Sequence, residues 1–164
     1  PIEHEGTYPL PEAQLDRFLM KLSIHYPDFA AEKEMLRAYS RPRDEVVNVL
    51  GPGDVLELQS LADAVHVDDE LYDYVLGLVR HTRQHPHVEL GASPRAALAL
   101  VHAARAHALL AGRDFVLPDD IKRLAPAVLA HRVLLLPDAE LEGAKPAAVV
   151  EEAIARVPWR RARP

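Results

Sequence analysis

Residues 91–114 read "GASPRAALALVHAARAHALLAGRD". Ser93 has the residue type that caps a helix, Pro94 suits its first turn, and the run beyond holds almost nothing but Ala, Leu and Val. Such a segment is apolar nearly all round, so it belongs at the centre of a bundle rather than on a surface. The rest of the chain is read outward from this helix.

Composition agrees with a helical reading. Of 164 residues, 49% are hydrophobic but only 5% aromatic, so a core must be built from small and aliphatic side chains, a mixture that favours helices. The length suffices for one ordinary domain. A net charge of −6 argues against a general nucleic-acid binder, which relies on a basic surface. Without cysteine there are no disulfides and no thiolate metal sites. No apolar run is long enough to span a membrane and no signal-peptide pattern occurs, so a cytoplasmic protein is the default expectation.

On the N-terminal side, Leu71, Val75, Leu78, Val79 and Thr82 share a helical stripe that starts in the acidic cluster 68–70 and ends near Arg80, His81 and Arg83. Those charges match the helix dipole at both ends. Asp54 with Glu57 resembles a capping box ahead of the stripe Val55, Leu58, Leu61, Ala62 and Val65. Before it lies a linker rich in Pro, Gly and charge at 40–54, preceded by a helix capped by Asp28 that runs to about Tyr39. Phe18 to Ile24 alternates like a strand with no partner nearby, which leaves its backbone groups unpaired.

On the C-terminal side, Pro118 opens a helix with Ile121, Leu124, Ala125, Val128 and Leu129 inward. A loop over 134–146 leads to a last helix bearing Val149, Val150, Ala153, Ile154 and Val157, and the basic end "WRRARP" is expected to fray.

Arg95 is the most informative candidate for chemistry. A cation in the first turn of a helix is mildly unfavourable unless an anion arrives, and Ser93, Pro94 and Arg95 with the exposed N–H groups describe a phosphate site. The plain alternative is an arginine bent into solvent. Asp16 and Arg17 in "EAQLDRF" read as solvated charges flanking Leu15 and Phe18. His81, His85 and His87 lack a nearby carboxylate in sequence and are broken by Pro86, so no metal site is expected there. His102 and His107, five apart, fall on different helix faces.

Two segments in order, "PIEHEGTYPLPEAQLDRF" at 1–18 and "LGASPRAALALVHAARAHALLAGRDFVLPDDIKRLAPAVLAHRV" at 90–133, with "DYVLGLVRHTR" at 73–83, resemble the C-terminal half of the MoxR family of AAA+ ATPases. The resemblance implies a mainly α fold: a helical-bundle lid over 29–164, preceded at 1–28 by the last strand and a short helix of an α/β nucleotide-binding core. By the same analogy Arg17 matches the arginine finger, acting in trans on the neighbouring subunit's nucleotide, and Arg95 the second sensor of its own subunit. It further implies ATP and Mg2+, a homo-oligomeric ring expected to be a hexamer, and clients that include von Willebrand factor A domain proteins. No GxxxxGK[ST] loop or acidic metal-binding strand occurs, so the phosphate cradle would lie ahead of Pro1 and these residues should not hydrolyse ATP alone. Leu117 stands where such sequences usually place a capping Thr or Ser. The alternative is a free-standing helical interaction module without ATPase activity, which the coding sequence ahead of Pro1 would distinguish.

Overall fold

The computed structural model describes residues 10–39 and 46–159. A four-residue helix, α1 (Glu12–Leu15), is followed by α2 (Phe29–Tyr39), α3 (Pro52–Ala64) and α4 (Asp69–Gln84). Next come β1 (Val88–Leu90), α5 (Pro94–Leu110), α6 (Pro118–Leu129), a 3-10 turn at Ala130–Arg132, β2 (Leu134–Leu135), α7 (Pro137–Leu141) and α8 (Pro146–Arg156).

The helix read first is the centre of the bundle. α5 packs against α3, α4 and α6, while α8 closes on α4 and α6. Ala96, Ala97, Ala99, Ala103, Ala104 and Ala108 are all buried along α5, and side chains this small let its neighbours come close. The stripe of α4 is buried as its period requires, with Leu71, Val75, Leu78, Val79 and Thr82 all in the core. In α6, Ile121, Ala125, Val128 and Leu129 are buried. Among the described residues no helix is long and apolar enough to cross a bilayer.

Caps were legible in part. Asp28 Oδ1 accepts the Ala31 N–H at 2.8 Å, as expected of an N-cap. Asp54, by contrast, is not the cap residue of α3. Gly51 is, and Asp54 lies inside the first turn with its carboxylate accepting the Gly51 N–H at 2.7 Å, so Glu57 has no part in it. The lost cap at Leu117 is offset similarly, because Asp120 accepts the Leu117 N–H at 2.8 Å.

Other expectations are corrected. Phe18 to Ile24 does not form a strand; its backbone meets the bundle through Lys21 N–H to the Ala127 carbonyl at 2.9 Å. A strand is a property of a pair, and β1 and β2 are already paired with each other, antiparallel, with Val88 opposite Leu135 and Leu90 opposite Leu134. β2 and α7 replace most of the loop expected over 134–146. Trp159 is not frayed: it meets Tyr74 edge-on, with ring centroids 6.0 Å apart. The remaining basic residues, 160–164, and the first part of the expected linker, 40–45, lie outside the described residues, as does 1–9.

Candidate functional site

The start of α5 is held from behind. The buried Thr82 hydroxyl donates to the Val79 carbonyl at 2.7 Å and accepts the Ala92 N–H at 3.0 Å. Arg83 Nε donates to the Ala92 carbonyl at 2.7 Å. Gly91 makes this approach possible, since a Cβ there would lie 2.6 Å from Arg83 Cα. These contacts fix the two residues ahead of Ser93, so α5 begins in one direction.

Ser93 is the cap that its residue type predicts, accepting the Ala96 N–H through Oγ at 3.2 Å. Its hydroxyl proton goes elsewhere, to Asp16 Oδ1 at 2.8 Å. Pro94 follows at the first helical position and Arg95 at the second. Arg95 is exposed, and among the described residues neither its guanidinium nor its backbone N–H has a hydrogen-bond partner. A second guanidinium, that of Arg132, stands near enough for the two charges to repel. The charge of Arg132 is balanced by Asp16, so the field that an anion would relieve is that of Arg95 and the helix N-terminus.

Arg132 was not singled out from the sequence, yet it organises this end of the molecule. Its side chain is 2% exposed, and Nε lies 3.2 Å from Asp16 Oδ1. The guanidinium also donates to the carbonyls of Asp16 at 3.1 Å, Leu19 at 3.3 Å, Val128 at 2.6 Å and Phe18. Burial pulls its pKa below the ordinary value; Asp16 opposes that drop and Arg95 adds to it. The adjacent His131 Nε2 meets the Phe18 carbonyl at 3.2 Å. Asp16 is therefore a buried-pair partner rather than the solvated charge expected of it.

Arg17 follows in the turn after α1, exposed and without a side-chain partner among the described residues. A cleft of about 810 Å³ opens between α1 and the bundle, lined in part by Glu12, Asp16, Arg83, Ser93, Pro94 and Arg132. Of the residues expected to carry function, the structure thus brings Ser93 and Pro94 to this cleft. Arg17 and Arg95 are not in its lining; they stand beside it on the two elements that form it.

The histidines find partners that spacing could not show. His81 and His85 face Glu152 of α8 at 3.6 and 3.5 Å, and His85 meets His87 edge-on. Among the described residues no group of three or more His, Asp or Glu is placed to hold a metal ion. His107 Nδ1 lies 2.9 Å from the buried Asp120, which also receives Arg113 at 2.7 and 2.8 Å.

Comparison with known proteins gives a consistent set of relatives. Residues 80–153 match the AAA lid domain family. The chain is 48% identical to protein YeaC of Bacillus subtilis over 159 residues, covering 96% of this chain and 50% of the relative. It is 40% identical to chaperone MoxR1 of Mycobacterium tuberculosis over 166 residues, covering 96% and 44% respectively. A crystal structure named "a putative ATPase", from Cytophaga hutchinsonii, superposes with a TM-score of 0.91 at 37% identity over 98% of this chain and 52% of that one. The chain spans about half the length of the curated relatives that it matches.

Proposed function

Because this chain belongs to the MoxR family of AAA+ ATPases, whose C-terminal half it matches, we propose that it carries two nucleotide-contacting arginines that serve different subunits. Arg95 contacts the nucleotide of its own subunit from the lid, and Arg17 reaches the nucleotide of the neighbour. The complete protein binds ATP with Mg2+, hydrolyses it as a homo-oligomeric ring, a hexamer in this reading, and remodels or activates client proteins in the cytoplasm. Clients with von Willebrand factor A domains belong to the same reading. Residues 1–28 complete the nucleotide-binding core and residues 29–164 form the lid.

One observation carries the assignment of Arg95. An exposed guanidinium at the second position of a 17-residue helix, beside a backbone N–H without a partner among the described residues, is set for an anionic group. Ser93 and Pro94 shape that helix start, with the Ser93 hydroxyl already committed to the cap and to Asp16. The residues fit a phosphate, not a metal; the phosphate cradle and the Mg2+ ligands would come from the length that the relatives have and this chain does not span. Bound there, ATP supplies a phosphoryl group whose developing charge fixed cations stabilise.

The test is subunit mixing with the complete protein. Arg17→Ala should leave nucleotide binding largely intact while turnover falls steeply, by up to about 10³–10⁵ as for fingers in other nucleotide hydrolases. Adding subunits whose own hydrolytic site is disabled but whose Arg17 is intact should restore part of the activity. A residue that acts within its own site cannot be replaced from next door, so verified mixed rings that stay inactive would refute the trans role.

A further inference from the structure

Arg132 raises a question that bundle stability does not answer. A buried guanidinium is costly to desolvate, and an apolar side chain of similar size fills such space without that cost. Here the fork is spent on backbone carbonyls, and those of Asp16, Phe18 and Leu19 bracket Arg17. α1 has no buried residue of its own, so these bonds are the main fastening of the turn. Asp16, held by Arg132, accepts from Ser93, and the Ser93 oxygen caps the helix that presents Arg95. One unbroken run of bonds therefore joins the turn carrying Arg17 to the helix start carrying Arg95.

We propose that Arg132 and Asp16 are positioning residues that lock the direction of Arg17 to the placement of α5. The inference rests on the reading of Arg17 and Arg95 given above. A cation that stabilises charge on a neighbour's nucleotide is effective only if it is aimed before the reaction, and a displacement of about 1 Å is enough to cost roughly a hundred-fold in rate. Five donors in a rigid fork can hold a turn in that way, whereas the point charge of a lysine cannot.

The complete protein is compared as parent, Arg17→Ala, Arg132→Lys and Asp16→Asn. Arg132→Lys keeps the charge and loses the fork. Asp16→Asn keeps an acceptor for Ser93 and removes the ion pair on a half-exposed segment, so it stays informative where a buried substitution disturbs folding. In both, kcat should fall about ten- to a hundred-fold while nucleotide Kd stays within about two-fold of the parent. Mixing with subunits disabled in their own site but intact at Arg17 should restore turnover, as it does for Arg17→Ala. A lid that was merely destabilised would lose affinity together with kcat and gain nothing from mixing. That outcome, or parental kcat in both variants, overturns the positioning role. If Arg17→Ala itself keeps full turnover, the trans reading of Arg17 falls and this inference falls with it. If Arg17→Ala is inactive and rescued while the other two match the parent, only the positioning role is lost.

Discussion

Arg95 is exposed, and neither its guanidinium nor its N–H has a hydrogen-bond partner among the described residues, which sets the size of its effect. In the complete protein, Arg95→Ala should weaken nucleotide binding by about 1–3 kcal/mol, the range for a charge-assisted hydrogen bond, as read by titration calorimetry. Unchanged affinity would remove the second-sensor assignment. Asp120 makes the opposite case, a charge that works for stability. Its side chain is 5% exposed, and burial pushes its pKa up, yet bonds from Arg113, the Leu117 N–H and His107 together hold it below the ordinary carboxylate value. A carboxyl depressed in this way contributes stability above its unfolded pKa of about 3.9, and the contribution is lost as pH falls through the folded value. Asp120→Ala should cost on the order of 3 kcal/mol at neutral pH, at the lower end for a broken buried pair because Arg113 keeps some access to water. Denaturant melts between neutral pH and pH 3 should show the gap between parent and variant closing on acidification; a constant gap would count against the ion pair.

At the scale of elements, the helices divide by what they bury. α4, α5, α6 and α8 each bury at least three residues of their apolar stripe, whereas α1, α2 and α3 contain no buried residue. Local opening should follow that division, since helices that bury little open at little cost. Amide exchange of this chain should be slow across Leu71–Thr82 and Ala99–Ala108 and fast across α2; slow exchange in α2 in a proven monomer would contradict it. The join between α4 and α5 is the sensitive point. Gly91→Ala would drive a Cβ to 2.7 Å from the Arg83 backbone nitrogen, so α4 or the Ala92 peptide must move. A loss of about 1–3 kcal/mol in chemical denaturation is expected, typical of overpacking, together with a weaker Arg83–Ala92 bond.

Across the whole molecule, apolar exposure is uneven. Phe18, Leu22, Ile24, Tyr26, Phe29, Leu36 and Tyr39 are all exposed, Ile24 at 97%, while the region from Val65 onward holds the buried core. An exposed apolar surface of this kind drives association or awaits a cover. The 164-residue chain alone should bind a hydrophobic dye and self-associate with concentration, and light scattering that stays monomeric at high concentration would refute this. Much of the fold was legible in residues 65–133 because periods and caps are local: the Leu71–Thr82 stripe and the Ser93 cap involve partners within a few positions. The place of Arg95 in the exposed first turn of α5 was legible for the same reason. What lay beyond reach involves distant pairs. Asp16 and Arg132 are separated by more than a hundred positions, Glu152 approaches His81 only because α8 folds back on α4, and Val88 meets Leu135 across two helices. The alternation over Phe18 to Ile24 meets no strand among the described residues, because a strand needs a partner that local pattern cannot supply. Sequence by itself thus determined the longer helices and the apolar face of each, since those follow from the 3.6-residue period. Only the tertiary structure decided what Arg132 holds, because the carbonyls that satisfy a buried guanidinium are brought to it by chain closure and leave no mark on the residues around it.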